Sequence, residues 1–73
     1  MSLLHAEAVT VWCEGSVPYG IIWASKHYRV TDTPTRLEHE IGWRFQGTDD
    51  DEVSRMFDVR RAAAGWELVR TYE

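Results

Sequence analysis

The side chains of this sequence that could do chemistry are few, and their spacing does little to gather them. Its one cysteine, Cys13, would act as a nucleophile only as a thiolate with a base such as His27 or His39 beside it. By parity it falls with Val9 and Val11, which reads as a buried structural thiol. Cys13, His27 and His39 have no recognised zinc-ligand spacing. Glu38-His39-Glu40 sets ligand types side by side, yet strand alternation would send His39 to the face opposite both carboxylates. The run Asp49-Asp50-Asp51-Glu52 lacks the alternating ligands, central Gly and distant Glu of a calcium loop, so it reads as a solvated charged loop. There is no phosphate-cradling Gly-rich loop, no G-x-S-x-G and no HExxH. The chain therefore reads as a non-enzyme, with no catalytic residue, metal ligand or cofactor assigned.

One segment remains as a binding candidate, the stretch from Trp23 to Arg29. Lys26 and His27 sit at its tip, Arg29 beside it, and Trp23 and Tyr28 flank them. Aromatics interleaved with basic residues serve single-stranded nucleic-acid surfaces, where rings stack on bases and cations hold phosphates. The same composition supplies protein-binding hot spots. The competing account makes Trp23 and Tyr28 a cross-strand core pair and the charges an ordinary solvated turn. The candidate site is thus Trp23, Lys26, Tyr28 and Arg29, with the acidic loop outside it. Four tryptophans in 73 residues sharpen the question, because a small β core also uses large rings, each removing ~150–250 Å² from water.

The elements that would position these residues are strands. Glu7 to Cys13 alternates, Gly15-Ser16 and Pro18 supply turn chemistry, and Ile21-Ile22-Trp23, the turn Ala24 to His27 and Tyr28 to Thr31 form a hairpin that Pro34 ends. From Leu37 to Phe45 the alternation predicts one strand, with Leu37, His39, Ile41, Trp43 and Phe45 on a single face and Gly42 marking a bulge or bend. Its buried side would meet Val9, Val11, Val59 and Leu68. The stretch from Thr48 to Arg61 has two readings. One is a helix capped by Thr48 or Asp49, with Val53, Met56 and Phe57 on one side. The other is a hairpin of Met56–Arg60 with Trp66–Tyr72 that pairs Arg60 with Glu67 and Val59 with Leu68. The favourable cross-strand pairs weigh toward the hairpin, preceded by one helical turn over Asp50 to Arg55. Five to six short antiparallel strands with an aromatic face must curl to cover it, so the fold expected is an all-β small barrel or strongly curled sheet, SH3-like in outline.

Trp23-x-x-x-x-Tyr28-Arg29-Val30, then Gly42-Trp43, then Phe57-Asp58-Val59-Arg60 and Gly65-Trp66-Glu67-Leu68-Val69-Arg70-x-Tyr72 resemble a family of small uncharacterised actinobacterial proteins. The likeness spans about residues 9 to 72, and the motifs are mostly core aromatics. In that family a W-x-G-x-x-Y-x-V hairpin precedes a Trp-rich strand and a closing hairpin; here Ala24-Ser25 stands where the family glycine would be. The resemblance implies the hairpins and supplies no catalytic residue. Some family members lie near genes for error-prone DNA polymerases, which would associate this chain with nucleic acid.

Composition bounds the partners. The chain is one small domain, 44% hydrophobic and 27% charged, and Met1 to Leu3 could be a vector-derived leader. It has no signal-like or membrane-spanning apolar run, and a lone cysteine fits a cytoplasmic protein. The net charge of -4 equals the charge of the run Asp49 to Glu52; without that run the carboxylates match the eight Lys and Arg. A body that is neutral apart from one acidic loop disfavours non-specific nucleic-acid binding. The leading expectation is a non-catalytic module that binds another protein. A nucleic-acid accessory domain and a self-associating structural domain or homodimer follow, and no membrane partner is expected.

Overall fold

The computed structural model describes residues 2–72, and they form an all-β domain of seven strands. These are β1 (Ser2–Glu14), β2 (Val17–Trp23), β3 (Lys26–Val30), β4 (Thr35–Arg36), β5 (Gly42–Thr48), β6 (Ser54–Ala62) and β7 (Gly65–Tyr72). The sheet runs β3-β2-β1-β7-β6-β5, and β3 pairs with β5 to close a six-stranded barrel; β4 adds to β5 beside β3. Every pairing is antiparallel. The expected small all-β barrel is therefore what the chain forms, with the short β4 in addition. Ser2 and Leu3, set aside as leader-like, lie in β1 opposite Tyr72 and Thr71. Met1 and Glu73 lie outside the described residues.

Closure gives the aromatic-rich sequence its core. Ile21, Tyr28, Phe45, Phe57, Val59 and Leu68 are buried, and Val9, Val11, Trp23, Val30, Trp43 and Trp66 pack around them. Phe57 is the hub: its ring meets Tyr28 edge-on at 5.0 Å, Trp23 edge-on at 5.8 Å and Phe45 at 5.9 Å. Such pairs add about 0.5–1.5 kcal/mol each beyond the area they bury. The β6–β7 hairpin has the expected register, with Val59 opposite Leu68 and Arg60 opposite Glu67. Arg60 donates to the Glu67 carboxylate from Nε at 3.1 Å.

Two expectations are corrected. The stretch Leu37 to Phe45 is not one strand. β4 pairs Thr35 with Arg44 and Arg36 with Trp43, so the chain reverses between them, and the Leu37 N–H donates to the Gly42 carbonyl at 3.1 Å. Ile41 consequently lies in the reversal just before β5, 78% exposed and off the predicted buried face. His39 and Glu38, sent to opposite faces by the strand reading, instead lie 3.7 Å apart in that bend. A period of two looks the same along a straight strand and across the two sides of a short hairpin. Where the reversal enters β5, Gly42 lets the chain approach β6 closely: a Cβ there would stand 2.1 Å from the Val59 carbonyl oxygen.

The second correction concerns the acidic run, where no helical turn forms over Asp50 to Arg55. The Asp49 carboxylate turns the chain by accepting hydrogen bonds from the N–H groups of Asp51 (2.9 Å) and Val53 (3.0 Å). The Asp49 N–H donates to the Val53 carbonyl at 3.0 Å, so the chain reverses straight into β6. An Asp side chain that satisfies two backbone donors ahead of it favours a turn over helix propagation.

Candidate functional site

The four residues proposed from the sequence do not share one surface. In β3 the pleat turns Tyr28 inward opposite Ile21, and it is 3% exposed against Phe57. Tyr28 is thus a core residue, and its ring is withdrawn from any partner. Trp23 faces the same way at the end of the barrel and is half-buried, with its indole N–H donating to Glu7 and the Arg55 guanidinium 5.8 Å from its ring centre. Arg29 has the opposite parity and points outward opposite Gly20. Lys26 and Arg29 are half exposed, as expected of solvated cations.

Nor is the acidic run remote from this hairpin. Because β3 closes onto β5 through Arg29–Thr48 and Val30–Gly47, the turn after β5 lies against it. Lys26 Nζ is 3.4 Å from Asp49 and 3.8 Å from Asp51, while Arg29 is 3.9 Å from Asp50 and 3.7 Å from Glu52. Both hairpin cations are matched from within the chain. Asp49 itself is 3% exposed, not a solvated loop residue. The hydrogen bond from the Val53 N–H, with that from Asp51 and the Lys26 charge, holds its carboxyl below the usual carboxylate range against the opposing effect of burial.

The exposed aromatic surface lies on the outer side of β1, β2 and β3. Inward parity takes Val11, Ile21 and Tyr28, which leaves Trp12, Gly20 and Arg29 in one outward row and Thr10, Ile22 and His27 in the next. Trp12 is 37% exposed, Ile22 39% and Tyr19, beside Gly20, 52%. Trp12 and His27 meet edge-to-face at 4.9 Å over Gly20. A Cβ at Gly20 would lie 3.1 Å from both the Trp12 and His27 rings, so glycine is what lets them close over the middle strand. Trp12, Tyr19, Gly20, His27 and Arg29 line a shallow groove of about 300 Å³. The groove was legible in principle, since placing Val9, Val11 and Cys13 inward already turns Trp12 outward.

No family model, curated protein or solved structure matches the chain.

The remaining candidates stay apart. Cys13 is half-buried and its thiol pKa is raised by burial, with Arg61 opposing. His39 lies exposed beside Glu38, and His27 belongs to the Trp12 contact. Among the described residues no three His, Cys, Asp or Glu side chains gather to hold a metal ion. On the opposite wall, Asp58 is buried and held by Arg44 through Nε at 2.8 Å and Nη2 at 3.1 Å. The Tyr72 hydroxyl donates to the same carboxylate at 2.8 Å and accepts from Arg44 Nη2 at 2.8 Å. This carboxylate raises the Arg44 pKa further above its ordinary value, and the cluster staples β5, β6 and β7.

Proposed function

We propose that this protein is a small, non-catalytic interaction module that recognises another protein through the outer face of β1–β3. The observation that carries the reading is the adjoining exposure of Trp12, Tyr19 and Ile22 on a sheet whose inner face is fully packed. Rigid, partly exposed rings beside an arginine are the residue types that anchor protein interfaces. The groove over Gly20 suits one apolar side chain of the partner, with His27 and Arg29 at its rim. Nucleic acid fits this face less well, because Arg29 is matched by Asp50 and Glu52 and the net charge is -4. A cytoplasmic setting belongs to the same proposal, on the strength of the single unpaired cysteine. Among the described residues no helix is long and apolar enough to cross a membrane.

A photoreactive amino acid placed at position 19 tests the proposal in cells. The expected result is a crosslink to one defined protein that disappears when Trp12→Ser is added, while the same probe at position 38 gives none. Equal crosslinking from both positions, or persistence in the Trp12→Ser background, overturns the surface. A crosslink only between two copies of the chain, supported by a dimer in sedimentation, replaces the partner with the chain itself.

A further inference from the structure

Four of the eight Lys and Arg side chains have carboxylate partners among the described residues: Lys26 and Arg29 face the acidic turn, Arg44 holds Asp58, and Arg60 holds Glu67 and Glu40. Arg36 and Arg61 have no carboxylate partner among the described residues; each lies over an indole instead. The Arg36 Cζ is 5.0 Å from the centre of the Trp43 ring, and the Arg61 Cζ is 5.5 Å from that of Trp66. Both stacks follow from register, since Arg36 is opposite Trp43 in β4–β5 and Arg61 opposite Trp66 in β6–β7. The two hairpins are locked together where Gly42 lies against Val59 and where the Arg61 N–H donates to the Ile41 carbonyl at 2.7 Å. As a result, both stacks line one cleft of about 170 Å³, with Ser16 at its wall.

The chemistry of such a cleft is that of an oxyanion site. Trp43 and Trp66 pack against the core, so each presents a fixed platform to its guanidinium. A guanidinium stacked on a ring keeps its in-plane N–H donors free, and its planar fork matches the oxygens of a phosphate. Glu40 also lines the cleft, but its carboxylate is engaged by Arg60 Nη1 at 3.3 Å. We propose that the Arg36–Trp43 and Arg61–Trp66 stacks form a binding site for a phosphate group, distinct from the outer face of β1–β3. The group comes either from a small phosphorylated compound or from the backbone of a single-stranded nucleic acid.

The test titrates ¹⁵N-labelled protein with inorganic phosphate at low ionic strength and follows the indole N–H signals. Saturable shifts are expected for Trp43 and Trp66 and not for Trp12. Arg36→Gln and Arg61→Gln should each weaken half-saturation about tenfold or more, the loss expected when a charge-assisted donor is removed. Arg29→Gln, outside the cleft, should leave it unchanged. If a Gln variant melts early, Arg36→Lys and Arg61→Lys keep the charge, lose the fork and should still weaken binding. The proposal fails if chloride at matched ionic strength reproduces the shifts, if no saturable shift appears, or if the double Gln variant responds like the unmodified protein. A phosphate monoester and a single-stranded oligothymidylate then separate the sources. Tighter binding of the oligonucleotide, falling steeply with salt, assigns the phosphate to nucleic acid. Tighter binding of the monoester assigns it to a small molecule.

Discussion

Adding a single methyl group at Gly42 is the most searching perturbation of this fold. A Cβ at that position would stand 2.1 Å from the Val59 carbonyl oxygen, 2.9 Å from Leu37 Cδ1 and 3.0 Å from Arg60 Cα. The leucine methyl can swing away; the backbone of β6 cannot, because Val59 and Arg60 are paired with β5 on one side and β7 on the other. Relief demands that β5 and β6 part by about 1 Å, enough to take N–H···O contacts out of hydrogen-bond range. Two or three ladder bonds at about 1 kcal/mol each, together with the strain of overpacking, give a cost of about 3 kcal/mol or more. A 73-residue domain has a total stability on the order of 4–11 kcal/mol. Gly42→Ala should therefore lower the melting temperature by about 12–24 °C. Thermal and urea melts followed by circular dichroism measure it. Gly15→Ala is the control, since Gly15 has φ +64° with nothing near its missing Cβ; it should cost only the ~1–2 kcal/mol of a left-handed conformation. If Gly42→Ala lies within about 1 kcal/mol of the unmodified protein, or costs no more than Gly15→Ala, the close approach of β5 to β6 is wrong.

Asp58→Ala should destabilise by about 1–2 kcal/mol, since the Tyr72 hydroxyl loses its acceptor while the half-exposed Arg44 guanidinium can turn to water; in a double-mutant cycle with Arg44→Ala, a coupling near zero would show that the cluster is not a staple. Ala24 and Ser25 occupy the β2–β3 turn at φ 52° and 63°, so the double substitution Ala24→Asn with Ser25→Gly should stabilise by about 1–2 kcal/mol in a urea melt, and a neutral or negative result would contradict that turn geometry. Because the folded state holds the Asp49 carboxyl below its ordinary pKa of 3.8, its contribution is present above that value and is lost as the pH falls through the lower, folded one. Asp49→Asn should thus be less stable at pH 7 and change less between pH 5 and pH 2; parallel urea midpoints across that range would refute the role of the charge.

The parts of the fold that were legible in the sequence are those where two independent signals agree. The β6–β7 hairpin is specified twice, by Val59 facing Leu68 and by Arg60 facing Glu67, and a slip of one residue would break both pairs. The alternation of Leu37, Ile41, Trp43 and Phe45 is a single signal, and a tight reversal imitates it. No local pattern announces that Gly42 must lie against the Val59 carbonyl, because that contact is made only when β5 pairs with β6. The acidic run misled for a similar reason. Its charges are local, whereas the partners that bury Asp49 and match Lys26 and Arg29 arrive only when β3 closes onto β5.

One rule explains why the four residues singled out in the sequence part company in the fold. Reading Trp23, Lys26, Tyr28 and Arg29 as a unit treats neighbours in sequence as neighbours on a surface, which a strand does not permit. Tyr28 and Arg29 are adjacent in the chain and lie on opposite sides of the barrel wall, one against Phe57 and the other in solvent. The same rule carried across β1 and β2 gathers Trp12, Gly20 and Arg29 from three strands into one row. It also explains why two arginines stack on tryptophans at the far hairpins, since Arg36–Trp43 and Arg61–Trp66 are cross-strand partners. In this domain, chemistry is assembled across strands rather than along them. A binding surface can therefore be found only after register is known, and each surface proposed here stands or falls with the register that builds it.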